Sequence, residues 1–123
     1  MKQAIWRAQI SAVGKEAAGF LSEGRIILFS DQAPQDLIDY CLVHGGSSLT
    51  KPIAVGQHLE LYGKVYPITA VGEVASQNLE QLGHITLQFD GATQPELPGT
   101  VHLDGSAPSR LDEQGEIVLF EED

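Results

Sequence analysis

Residues 3–13 read QAIWRAQISAV, and this stretch decides the fold. Its even positions Ala4, Trp6, Ala8, Ile10 and Ala12 are apolar, while Gln3, Arg7, Gln9 and Ser11 are polar. Successive side chains of a strand point to opposite sides of the pleat, so a period of two marks a strand with one buried face. Ile5 alone breaks the rule. Working outward, residues 25–30 (RIILFS) are short, apolar and β-branched and predict a second strand. Residues 58–62 and 65–71 flank Gly63-Lys64, which reads as a tight hairpin. Pro67 lies in its second arm and removes a ladder hydrogen bond, so that arm should meet a sheet edge or a bulge there. In residues 84–89, Ile85, Leu87 and Phe89 alternate with His84, Thr86 and Gln88. Residues 100–103 and 116–121 complete the set.

Helical signals are few. Pro34 suits a first helical position, with Leu37, Ile38 and Cys41 spaced to face a core. Ser76 has the chemistry of an N-cap and Gly83 that of a C-terminal stop around QNLEQL. Gly14, Gly19 and Gly24 punctuate what reads as an irregular connection. Six or seven short strands with one or two short helices predict an all-β domain, a small closed barrel or a sandwich. There is no internal repeat or linker, and 123 residues make a single domain over 1–123.

Charge narrows the function. Seven Lys and Arg face 17 Asp and Glu, a formal net of −10, which excludes a sequence-independent grip on nucleic acid. Residues 110–123 hold six acids against one base, a solvated edge that would also attract a basic partner. One cysteine forms no intrachain disulfide, Arg7 and Gln9 interrupt any signal-peptide core, and no run is long enough to span a bilayer. A cytoplasmic protein without membrane insertion is expected.

Four histidines and Cys41 are the candidate reactive groups. His58 alternates with Leu59 and Leu61, so a surface strand histidine is the simpler reading. His84 and His102 likewise point away from their strands' apolar faces, and surface decoration explains each taken alone. His44 ends the apolar run at Tyr40-Cys41-Leu42-Val43 and precedes Gly45-Gly46-Ser47-Ser48. Glycines let the backbone approach a ligand, and successive free amides at Gly45, Gly46 and Ser47 can form a phosphate-binding nest. A neutral imidazole can attack phosphorus. A histidine at a strand end before an ordinary turn explains the same spacing. Cys41-x-x-His44 also has the local spacing of two zinc ligands, which His84 and His102 could complete, but one such pair is a weak signal. The glycines lack the spacing and lysine of a nucleotide loop.

Four ordered blocks carry a family likeness. They are Ala33-Pro34 through His44; Tyr66-Pro67-Ile68-Thr69-Ala70-Val71-Gly72; Asn78-Leu79 through Leu87, on to Phe89-Asp90-Gly91; and Pro98-Gly99-Thr100-Val101-His102. Together they resemble the glucitol/sorbitol-specific IIA component of the bacterial phosphoenolpyruvate-dependent phosphotransferase system, over nearly the whole chain. The resemblance implies a small closed β-barrel that takes a phosphoryl group from phospho-HPr and passes it to the IIB part of a glucitol/sorbitol IIB/IIC permease. It places the phospho-accepting histidine on His44 and calls for no cofactor or metal. Some members carry a further histidine just after it, where this chain has Gly45 and Gly46. His84 is the expected supporting imidazole and His102 a weaker one. The alternative is a non-catalytic β-barrel binding or regulatory module in which His44 serves another role.

Overall fold

The computed structural model describes residues 2–122. Eight strands, β1 (Lys2–Val13), β2 (Arg25–Ser30), β3 (Leu42–His44), β4 (His58–Leu61), β5 (Lys64–Val71), β6 (Ile85–Gln88), β7 (Thr100–Leu103) and β8 (Glu116–Glu122), form one closed barrel. The order around the ring is β1-β3-β2-β6-β7-β5-β4-β8, and β8 pairs back onto β1. The β2–β3 and β6–β7 pairs are parallel and the other six antiparallel. Two short α-helices, α1 (Gln35–Ile38) and α2 (Ala75–Leu82), lie in the crossovers.

The barrel interior is aliphatic. Leu28, Leu42, Leu59, Leu61, Leu87, Val101, Leu103, Ile117 and Leu119 are wholly buried, each contributing about 1.5–3 kcal/mol through loss of apolar surface. A smaller cluster of Phe29, Cys41 and Val43 forms on the opposite face of β2 and β3, packed under Ala33 and Ile38.

The exception at Ile5 is a β-bulge. Ala4 faces Phe120 and Trp6 faces Leu119, so one extra residue enters β1 and turns both Ile5 and Trp6 inward while Ala4 stays exposed. Pro67 also stands beside a bulge, where the β5–β7 register shifts between Ile68 and Ala70, and its carbonyl accepts the Asp104 N–H. The ring leaves no edge at β5, so the edge half of that expectation does not apply.

Several expectations are corrected. The strand number is eight, because β3 has only three residues, too few to show a period. The hairpin turn is Tyr62-Gly63, one residue earlier than read, with Leu61 paired to Lys64 and both turn residues at positive φ. Residues 14–24 are not irregular throughout: Ala17–Glu23 is a 3-10 helix closed by Gly24 in the left-handed region. Pro34 caps α1 rather than opening it, and Ala75 precedes Ser76 in α2. The Ser76 hydroxyl instead accepts the Ile53 N–H. Gly83 does end α2, at φ 69.

Candidate functional site

β3 lies between β1 and β2, and its alternation sends Leu42 inward, Val43 outward and His44 inward. His44 has no exposed surface, and its ring meets Trp6 edge to face, centroids 5.1 Å apart at 87°. Both ring nitrogens are engaged. The Gly46 N–H lies 3.0 Å from Nδ1, and Nε2 lies 2.8 Å from the Gly83 carbonyl oxygen. An amide N–H can only donate and a carbonyl can only accept, so Nδ1 is the acceptor and Nε2 carries the proton.

The Gly83 carbonyl is available because α2 ends there. The last carbonyls of a helix have no intrahelical donor, and they form the negative end of its dipole. Only glycine serves at this cap: a Cβ on Gly83 would come within 2.8 Å of His44 Cε1 and of Ser30 Cβ, at a φ of 69°. Burial pushes the His44 pKa below the usual imidazole value, opposed by the hydrogen bond to Gly83 and the charge of Asp31. The ring therefore rests neutral.

A cleft of about 210 Å³ opens over this spot, walled by Ser30–Gln32, residues 45–47 and the end of α2. The loop after His44 is tied down at both sides: the Gly45 N–H bonds the Gln9 carbonyl at 3.1 Å, and the Leu49 N–H bonds the Glu80 carboxylate at 2.7 Å. Of the three amides expected to form a nest, Gly45 and Gly46 are thus already committed, and Ser47 alone has no hydrogen-bond partner among the described residues.

The other candidates lie elsewhere. His84 follows Gly83, but its ring turns outward and stacks flat on Phe29, centroids 4.3 Å apart at 6°. It sits half-buried in an apolar groove with Ile27, Leu37 and Tyr40, and burial lowers its pKa. His102 is not surface decoration. It is wholly buried, its Nδ1 2.8 Å from an Asp90 carboxylate oxygen and its Nε2 accepting the Glu96 N–H at 3.3 Å. No hydrogen bond or ring contact joins either to His44 among the described residues. His58 is half-buried against Phe120 rather than simply solvated. Cys41 belongs to the outer cluster, where its thiol donates to the Leu37 carbonyl and burial raises its pKa to about 11. Among the described residues no three His, Cys, Asp or Glu gather as metal ligands.

Three participants escaped the sequence reading: Trp6, Gly83 and Glu80. Gly83 had a signal, since a helix stop leaves a free carbonyl. Trp6 carries another mark, a buried indole Nε1–H with no acceptor among the described residues.

The family model for the "PTS system glucitol/sorbitol-specific IIA component" matches residues 5–118. The curated "PTS system glucitol/sorbitol-specific EIIA component" proteins of Shigella flexneri and Escherichia coli (strain K12) are each 40% identical to the chain over 117 residues. Those alignments cover 95% of this chain and 94% of either relative. The crystal structure of a PTS system IIA component from Enterococcus faecalis V583 superposes with a TM-score of 0.77 at 28% identity, covering 90% of this chain and 96% of that one. The barrel is therefore that of a phosphotransferase-system component, a class that serves as phosphocarrier in sugar transport. Within that class, the chain belongs to the glucitol/sorbitol-specific IIA family. No helix among the described residues is long and apolar enough to cross a membrane.

Proposed function

We propose that His44 accepts a phosphoryl group from the phosphohistidine of HPr and gives it to the IIB part of a glucitol/sorbitol permease, in the cytoplasm. The observation that carries this reading is the pair of backbone hydrogen bonds that hold His44 as a single neutral tautomer beside the cleft. Phosphoryl transfer asks the protein mainly for position and for stabilisation of spread charge. On arrival, an imidazole nitrogen of His44 bonds phosphorus as the donor's N–P bond breaks in line and the donor imidazole leaves; on departure His44 is the leaving group. In the resting tautomer the attacking lone pair is on Nδ1, beneath the Gly46 amide. The loop at 45–48 must lift for phosphorus to reach it, which frees the Gly45 and Gly46 amides to join Ser47 in holding phosphoryl oxygens. The Gly83 carbonyl keeps the Nε2 proton throughout and stabilises positive charge that develops on the ring. A chain of net charge −10 also draws a basic donor surface more quickly at low salt.

One observation favours the alternative of a non-catalytic module: His44 is wholly buried, as a structural histidine would be. Intact-mass spectrometry after incubation with phosphoenolpyruvate, enzyme I and HPr decides between them. One acid-labile phosphoryl on wild type and none on His44→Ala supports the carrier. No addition to either favours the module, and labelling of both sends the search to His84 and His102.

A further inference from the structure

The chain has seven Lys and Arg residues. Five of them reach an acid: Lys2 with Glu60, Arg7 with Glu116, Lys15 with Asp39, Arg25 with Glu23 and Lys51 with Glu121. Lys64 and Arg110 have no acid partner among the described residues, although 17 Asp and Glu are available. Both line the same cleft, about 310 Å³ in volume, between the β4–β5 hairpin and residues 108–112. This is not the His44 site: β5 stands four strands from β3 in either direction around the ring.

The cleft is built from rigid parts. Tyr66 forms a buried floor, its hydroxyl donating to the Ser106 carbonyl at 2.9 Å. Tyr62 forms a wall, its hydroxyl donating to the Asp112 carbonyl and accepting the Asp112 N–H, each at 2.7 Å. Two glycines make room for these rings. A Cβ at Gly105 would come within 2.9 Å of the Tyr66 ring, and one at Gly115 within 3.2 Å of the Tyr62 ring. Among the described residues Tyr62 is also the one non-glycine residue at positive φ, 52°, in a turn position where Asn, Asp or Gly is ordinary. Strained backbone of this sort persists where the surroundings hold it, and often where a ligand is held.

We propose that this cleft binds a small phosphate monoester whose organic part carries hydroxyl groups. Lys64, Arg110 and the Ser109 hydroxyl supply donors for a dianion, with the guanidinium suited to two-point contact on phosphate. The Tyr62 ring and Pro108 offer apolar surface to the carbon skeleton, and the Asp112 carboxylate, which lines the cleft and accepts the Gln114 N–H at 3.1 Å, has lone pairs left to accept from hydroxyls. The volume lies at the small end for ligand sites, enough for a compact metabolite but not a dinucleotide.

The test is a two-dimensional amide NMR titration of the whole chain with glycerol 3-phosphate, inorganic phosphate and glycerol in turn. Saturable shifts at residues 61–66 and 105–115, strongest for the ester, are expected. Lys64→Gln with Arg110→Gln, both at exposed positions, should weaken the ester by about tenfold or more while leaving the spectrum otherwise unchanged. Three results overturn the proposal: no saturable shift, shifts that survive the double substitution, or inorganic phosphate binding as tightly as the ester.

Discussion

The Gly83 carbonyl and the His44 imidazole face each other at 2.8 Å, so the end of α2 decides which ring nitrogen holds the proton. The Gly46 amide completes the arrangement from the other side of the ring. A resting Nε2–H tautomer is therefore expected, with the phosphoryl group carried on Nδ1. Long-range proton–nitrogen correlation spectra of free and phosphorylated protein, labelled with nitrogen-15, read both directly. Attachment at Nε2 would mean that the Gly83 bond breaks before transfer.

Gly83→Ala strikes the same contact without touching a reactive atom. The added Cβ meets His44 and Ser30 at 2.8 Å, and alanine resists a φ of 69°. A loss of about 1–3 kcal/mol in urea unfolding is expected, with phosphoryl transfer slowed beyond what lost folded protein explains. Wild-type stability in this variant would show that the cap is more pliable than its geometry states.

Trp6→Phe separates packing from hydrogen bonding. The buried indole N–H has no acceptor among the described residues, so its removal takes away a donor that no protein group there satisfies. The variant should lose only the packing of the missing ring, about 1 kcal/mol, while transfer falls if this donor meets a phosphoryl oxygen. Transfer at the wild-type rate would leave Trp6 as packing alone.

Glu80→Ala releases the far side of the loop by removing the acceptor of the Leu49 N–H. The cost in stability is small, about 1 kcal/mol. Hydrogen exchange at Leu49 and its neighbours should accelerate selectively, because the loop then lifts more often. Unchanged exchange there would mean that the Gly45–Gln9 bond alone holds the loop.

Stability should fall on mild acidification. Burial lowers the pKa of His44, and likewise that of His84, below the ordinary 6.5. Below that value the unfolded rings take up protons that the folded rings refuse, so the unfolded state gains. Stability is thus full above about pH 6.5 and declines beneath it, by at most about 1.4 kcal/mol per pH unit for each ring, until the folded rings charge as well. Urea midpoints measured from neutral to mildly acid pH check this, and a midpoint that rises on acidification would contradict it.

The barrel was legible where side chains alternate over many residues. β1 announced itself through five apolar even positions, and even its irregularity at Ile5 was visible as a break that the bulge explains. β3 was hidden because three residues carry no period, yet it presents His44. His44 was legible as a strand-end residue before two glycines. Its burial was not, since Trp6 and Gly83 reach it from elements 38 and 39 residues away in sequence. The face of His102 was read correctly as opposite to Val101 and Leu103. What covers that face is the Asp90–Glu96 segment, whose packing no local pattern encodes.

The ring closes through β8, which sits between β1 and β4. A ribosome delivers β1 and β4 long before β8, so a growing chain carries two open strand edges until residues 116–122 emerge. Those edges are where an unfinished molecule can pair with another. Assembly of this barrel is therefore a late event, governed by contacts between residues more than a hundred positions apart, and it should be slow for a chain of this size.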